Sequence, residues 1–508
     1  MEPKPAPIAD LPTAEPGFGS GSGSIPPRSE ARRAVGTLVI ATAVAMSAGL
    51  ALKMPTQLTA NDISRYCTVW SLLERGTYAI DDCPWQKETQ DKVRKADPSG
   101  RVDPATGQVA EHFYSSKPPL LSTLIAGLIY PARKLTGVPL DAVVEQPRAP
   151  RNVQQDDPEH PGKSKFVEET PPPVAWPAYI LYFKPVVLLL NIVPFGLFLV
   201  YYARLLDRYA PNDWAWIASL VAGSFGTFLF VFNSTLNNHT LAAYSAFFAI
   251  YALAGILDAP DGATRPGRFL VAGACGAFAA CQETPAALFG LILAGLVFAR
   301  SPRLGLAAFA PAALVPLVAF FATQYLAFGQ FRLVYEEFGT KSYTYEGSYW
   351  NTPLEFDWFN KYPEPTWVYL FHMTLGHHGV FSLTPVFLFA LGASVRNTFG
   401  RGRPLRAISA MTLVLTVALI AFYTWNPKAR NYGGTTVGLR WLFWLIPFWL
   451  VVLPTGLAGG QRRGALRVLA VLAILLSALS VGYALRNPWN NPWTNDLLEH
   501  LNLYPLVR

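Results

Sequence analysis

Long apolar runs separated by short, charged connectors dominate the chain. Runs near 34–53, 180–203, 213–233, 239–257, 268–284, 285–300, 304–327, 379–395, 406–424, 440–458 and 467–485 contain few charged residues. A helix crossing a bilayer needs about 20 such residues, so the pattern predicts an all-α polytopic membrane protein with about eleven spans. One further stretch, Pro118 to Ala132, is shorter, and whether it crosses decides the orientation of everything after it.

The arginines decide that point. If 118–132 does not cross, then Arg204 and Arg208, Arg265 and Arg268, Arg300 and Arg303, Arg396, Arg401, Arg403 and Arg406, and Arg462, Arg463 and Arg467 all lie on the cytoplasmic side. The short outer turns at 234–238 and 281–286 then contain no Lys or Arg, as the positive-inside rule requires. The expectation is therefore a juxtamembrane helix over 118–132, with N-terminus inside and C-terminus outside. Residues 1–33, rich in Gly, Ser and Pro, read as a disordered cytoplasmic tail leading into an uncleaved signal anchor. The transmembrane domain runs over 34–485, with outer loops at 54–179, 328–378 and 425–439 and an outer tail at 486–508.

Composition agrees with this class. Only 15% of the 508 residues are charged and 51% are hydrophobic, against about 25% charged in soluble domains. The net charge of +8 sits in connectors between spans, which argues against nucleic-acid binding. Fourteen Trp and 22 Tyr suit aromatic belts at the membrane surfaces. Four Cys are too few for a disulfide scaffold; Cys275 and Cys281 fall within an apolar run, whereas Cys67 and Cys83 share one hydrophilic loop and can bridge in an oxidising compartment. No Gly-rich loop precedes a Lys-Ser or Lys-Thr pair, which speaks against ATP hydrolysis.

The first outer loop carries the chemistry. Thr59 to Arg75 reads as a short amphipathic helix closed by Gly76, with Asp62, Arg65, Tyr66, Val69 and Leu73 on one face. Thr59 and Asp62 also fit a capping-box variant, and Asp62 with Arg65 fits a simple surface ion pair. Further on, Tyr114-Ser115-Ser116-Lys117-Pro118-Pro119-Leu120 reads as a helix start, with Ser115 or Ser116 as cap and Pro118 in the first turn. A Lys at that mouth, together with free helix N–H groups, attracts a phosphate; the plain alternative is a snorkelling side chain. Arg440 follows the Gly-rich segment Asn431 to Gly438 and is a second candidate for an anionic headgroup, with Lys184 a third. His239, Glu283 and Gly376-His377-His378-Gly379 also fall outside; a divalent metal on His and Glu is open, although no ligand spacing matches a known pattern.

In their order, Asp62-Ile63-Ser64-Arg65-Tyr66, Glu74-Arg75-Gly76-Thr77-Tyr78 and Lys117-Pro118-Pro119-Leu120 resemble the GT-C superfamily of integral-membrane glycosyltransferases. The likeness is to the branch of lipid A aminoarabinose transferases and protein O-mannosyltransferases. It spans about 55–205, with looser agreement through 450. It departs at Ile63, where the family often has a second carboxylate, and in the apparent insertions 85–112 and 141–177. The resemblance implies a site on the extracytoplasmic side of a bacterial inner membrane, a polyprenyl-phosphate sugar as donor, and a lipid, polysaccharide or protein hydroxyl as acceptor. It also implies Asp62 as general base, Lys117, Arg65, Arg440 and Lys184 on the donor phosphate, and Tyr66, Tyr114, Pro118, Pro119, Glu283 and His239 in support. No cofactor is implied with certainty. The rival from another class is a flippase or transporter of lipid-linked sugars, which would call for ionisable groups at mid-bilayer and repeated, interrupted helices. The spans show neither.

Overall fold

The computed structural model describes residues 30–156, 164–260, 263, 265–338, 340–348, 365–402, 405–425 and 432–503; for 151–156 and 164–165 it describes only the backbone. Of the tail expected at 1–33, residues 1–29 lie outside the described residues, as do parts of the expected outer regions (349–364, 426–431 and 504–508) and Arg403, whereas 30–33 are not disordered but open the first helix.

Among the described residues, eight helices are long and apolar enough to cross a membrane. In chain order, interleaved with shorter elements, the fold comprises α1 (Glu30–Lys53), α2 (Ala60–Glu74), α3 (Pro119–Thr136), α4 (Tyr179–Tyr209), α5 (Asp213–Phe232), α6 (Asn238–Leu257), α7 (Pro266–Gln282) and α8 (Ala287–Arg300). These are followed by α9 (Pro302–Phe328), α10 (Thr366–Thr374), α11 (Phe387–Phe399), α12 (Arg406–Trp425), α13 (Arg440–Gln461), α14 (Gly464–Tyr483) and α15 (Trp493–His500). The long ones are α1, α4, α5, α6, α9, α12, α13 and α14. Every apolar run read from the sequence coincides with helix, but the runs at 268–284, 285–300 and 379–395 form shorter or broken pieces. α3 is not among the eight, despite its apolar face.

α5, α6 and α13 form the enclosed centre, where Trp216, Phe247, Trp444 and Trp449 are fully or almost fully buried. Around them α1, α9, α12 and α14 turn Leu38, Val315, Val417 and Leu475 outward. So wide an apolar exterior would be a liability in water and is what a lipid-facing surface requires.

The region 54–179, expected as the first outer loop, is not purely helical. β1 (Lys92–Ala96) and β2 (Glu111–Ser115) form an antiparallel hairpin with Lys92 opposite Ser115. Farther along, β3 (Val143–Gln146) pairs with β6 (Val174–Pro177), and β4 (Arg151–Asp156) with β5 (Ser164–Glu169). The all-α expectation therefore holds for the bundle and fails for the region 54–179. The strands lie in the two stretches that read as insertions, except that β2 runs beyond the first of them to Ser115.

α2 begins as expected: the Thr59 hydroxyl accepts from the Asp62 N–H at 3.4 Å, and Arg75 closes the helix just before Gly76 at φ +71°. It is not, however, a surface helix. Every residue from Asn61 to Ser71 is buried. The hairpin covers one flank, and α3 and α4 cover the other through Leu121, Ile125, Ile129 and Phe183. Tyr66 stacks on Phe183 at 3.8 Å between ring centres. α3 starts one residue later than its sequence indicates: Pro118 is the cap residue and Pro119 opens the helix, with no side chain capping it. Ser115 is used elsewhere, bonding to Ser64.

Cys67 of α2 is disulfide-bonded to Cys83, so the loop that leads into the hairpin is tied back to the helix. With a sequence separation of 16 between the partners, closing this loop is worth about 3 kcal/mol in the chain-entropy account. Replacing both cysteines by serine should lower the unfolding temperature in detergent. Thiol titration of the denatured protein should find two reactive groups without reductant and four with it; four in both conditions would show that the bridge is absent.

Candidate functional site

Helix ends and loops meet at one end of the bundle. α6 starts there, α7 finishes there, α13 starts there, and α2 lies across them.

The break between α5 and α6 is held by buried amides. Asn191, at a widened turn inside α4, donates to the Asn233 and Thr235 carbonyls at 3.1 and 2.8 Å. Asn237 caps α6 by accepting from the Thr240 N–H at 2.9 Å and donates to the Phe232 carbonyl at 2.7 Å. These bonds satisfy carbonyls released by the break and fix the next two residues, Asn238 and His239.

Asn238 is the hub. Its side-chain oxygen accepts from the Arg65 guanidinium at 2.6 Å, and its amide donates to the Glu283 carboxylate at 2.6 Å and the Gln282 carbonyl at 2.9 Å. His239 Nδ1 lies against the same Glu283 carboxylate. Arg65 also donates to the side chain and backbone of Asn61, one turn back on α2. It is 2% exposed and its Nε has no partner. A small crevice here is lined by Arg65, Pro118, Leu121, Asn238, Cys281 and Gln282.

Lys117 comes from the opposite flank. Ser64 donates to the Asp91 carbonyl at 2.5 Å and shares a hydrogen bond with Ser115 at 2.6 Å; Ser115 accepts from the Lys117 N–H at 3.2 Å. The Lys117 ammonium then meets the Asp91 carboxylate at 3.1 Å. Burial pulls the Lys117 pKa down, as do Arg65 and Arg440, against the upward pull of Asp91.

Arg440 completes the cluster. Its guanidinium lies 4.8 Å from the centre of the Trp489 ring. Gly433 and Gly434, at φ +93° and +78°, wrap its stem, and a Cβ on Gly433 would come within 3.0 Å of it. The close approach read from the glycines is thus an approach to Arg440 itself.

Asp62 is fully buried, and neither carboxylate oxygen has a well-formed hydrogen bond. The surface-pair reading fails on this burial, and the Arg65 guanidinium is engaged by Asn61 and Asn238 instead. Burial pushes the Asp62 pKa up to about 8, against smaller downward pulls from Arg65 and from groups of Leu58 and Thr59. Tyr66 is pushed up by burial and by Asp62. Arg65 is the charge shared by Asp62, Lys117 and His239. No described contact joins Asp62 to Lys117 directly.

Other residues singled out from the sequence fall elsewhere. Lys184 donates to the Ala51 and Met54 carbonyls at the end of α1, where it closes a helix terminus. Tyr114 packs on Phe328, 5.4 Å between ring centres. His377 and His378 pack with His372 and Tyr432. Among the described residues no group of three or more His, Cys, Asp or Glu side chains is arranged to hold a metal.

Three participants were missed in the sequence. Asn238 belongs to the turn 234–238, which the sequence marks only by its lack of Lys and Arg, and Asp91 is inside an apparent insertion. Tyr335, in the region 328–378, has a hydroxyl that feels Arg65, Glu283, Asp91 and Arg440. Comparison with protein-family models, with curated proteins and with solved structures finds no match to this chain.

The raised Asp62 pKa has a consequence for stability. An unfolded Asp releases its proton near 3.8, the folded one near 8. Between those values the native state binds more protons, so this group makes stability fall as pH rises, with the full penalty present above about 8. Asp62→Asn removes that term. Its unfolding temperature should gain on the wild type as pH goes from 4 to 8.5; parallel curves would mean Asp62 titrates normally.

Proposed function

We propose that the chain is a membrane glycosyltransferase that moves a sugar from a polyprenyl-phosphate carrier to a hydroxyl acceptor at the extracytoplasmic face. The topology that goes with this reading is about eleven spans, N-terminus inside and C-terminus outside, with α3 lying at the outer surface. One observation carries it: buried Arg65 and the largely enclosed Lys117 and Arg440 gather at one end of an apolar bundle, beside a fully buried carboxyl with no well-formed hydrogen bond. Three cations in one enclosed place call for an anion, and a lipid phosphate reaches a bundle end from the membrane.

In the proposed reaction the acceptor oxygen attacks the anomeric carbon while its proton passes to Asp62. The bond from that carbon to the phosphate oxygen breaks, and its electron pair stays on the phosphate. A phosphodiester thereby becomes a monoester that carries more negative charge, and Lys117, Arg65 and Arg440 stabilise it. No proton donor to the leaving group is needed, because phosphate is a weak base.

Purified protein in lipid nanodiscs, given a labelled polyprenyl-phosphate sugar and a cell-envelope extract as acceptor, should release polyprenyl phosphate. The rate should rise with pH up to about 8, as Asp62 ionises. Asp62→Asn should abolish release while the protein still inserts and folds, and Lys117→Ala should cost roughly 100- to 1000-fold. Unchanged donor moved between leaflets of a vesicle would replace this reading with flipping, and normal release by Asp62→Asn would remove Asp62 from the mechanism.

A further inference from the structure

Asp91 has no part in the chemistry just described, yet it is held with unusual care. Its carbonyl accepts from the Ser64 hydroxyl at 2.5 Å and the Ser116 N–H at 3.0 Å, and its own N–H donates to the Thr89 hydroxyl at 3.1 Å. Thr89 in turn donates to the Ala60 carbonyl at 2.7 Å, which bolts the segment to the first turn of α2. The backbone cannot swing away, so the carboxylate at 3.1 Å from the Lys117 ammonium is a fixed charge. Its field also reaches Arg440 and the Tyr335 hydroxyl.

Charge balance in the cluster depends on it. Arg65, Lys117 and Arg440 face two carboxylates, Asp91 against Lys117 and Glu283 against Asn238, while burial pushes the Asp62 pKa up to about 8. One positive charge is left over. A phosphodiester carries a single negative charge, but a phosphate monoester carries about −1.5 to −2 at pH 7. Without Asp91 the same three cations would hold the monoester far more strongly than the diester, and the spent carrier would stay in place.

We propose that Asp91 is a specificity-determining counter-charge, which sets the site to accept a lipid phosphodiester and to let go of the lipid phosphate monoester. The proposal rests on the glycosyl-transfer reading of this site. Asp91 touches the cation, not the reacting atoms, so it acts through Lys117. A salt bridge that only supported the fold would influence both lipids alike.

The test uses the full chain in detergent with two probes, farnesyl phosphate and farnesyl methyl phosphate, and measures their dissociation constants by calorimetry. The wild type should bind both within a few-fold of each other. Asp91→Asn keeps all three backbone hydrogen bonds and should tighten the monoester by about tenfold or more, with less than about threefold change for the diester. Asp91→Ser, equally neutral, should give the same gain, so that a folding defect of one variant does not decide the matter; Asp91→Glu should behave as the wild type. Parallel changes for both probes, or weaker monoester binding in the neutral variants, would overturn the proposal and leave Asp91 a structural partner of Lys117. Absence of binding of either probe to any of the four proteins would instead remove the phosphate-lipid reading of the site, and this inference with it.

Discussion

A guanidinium cannot shed its charge, and Arg65 is buried at the edge of an apolar bundle. Burying it demands oxygen acceptors from whatever surrounds it. α2 supplies Asn61, one turn back, and α6 supplies Asn238. Asn238 can face Arg65 with its oxygen only if its amide finds acceptors as well, and the end of α7 provides them in Gln282 and Glu283. A single unneutralisable charge thereby joins α2 to the turn between α5 and α6 and to the end of α7. The amides of Asn191 and Asn237, which hold the α5–α6 break, serve the same junction from within the bundle.

Holding Lys117 and Arg440 near Arg65 runs against mutual repulsion, so their positions must be imposed by packing. Lys117 is imposed by the hairpin: Ser64, Ser115 and Asp91 form one hydrogen-bonded node between α2, β1 and β2. The hairpin is anchored in turn by the disulfide and by the segment after α9, whose Glu337 accepts from Lys95, Gln330 and Ser342. Arg440 is imposed by glycines that let the chain close over its stem and by the Trp489 ring. The result is a set of cations fixed in advance of any ligand, which is the condition under which charge stabilisation is most effective.

The same burial gives Asp62 its character. In water next to an arginine it would be an ordinary acid. Fully buried, it loses its hydration, and desolvation outweighs the attraction of Arg65 and the weaker contributions of Leu58 and Thr59.

What the sequence determined by itself was whatever a segment decides internally. Bilayer length and apolar content made the helical runs legible, Thr59 and Gly76 marked both ends of α2, and the order of Asp62, Arg65, Lys117 and Arg440 drew attention to the residues that turned out to include the cation cluster. What only the tertiary structure decided was which surface covers which. α2 reads as amphipathic because its periodicity has a polar face, but that face is buried because each group finds a partner: Ser64 the Asp91 carbonyl and Ser115, Arg65 the side chains of Asn61 and Asn238, and Thr68 the Ser64 carbonyl. Asp91 lies far from Lys117 in the chain, and Asn238 farther still from Arg65; neither pairing leaves a local trace. Lys184 looked like any interfacial cation until α1 placed its terminal carbonyls beside it. Periodicity records the medium around a segment, whereas a hydrogen bond between distant residues exists only once the chain has brought them within 3 Å.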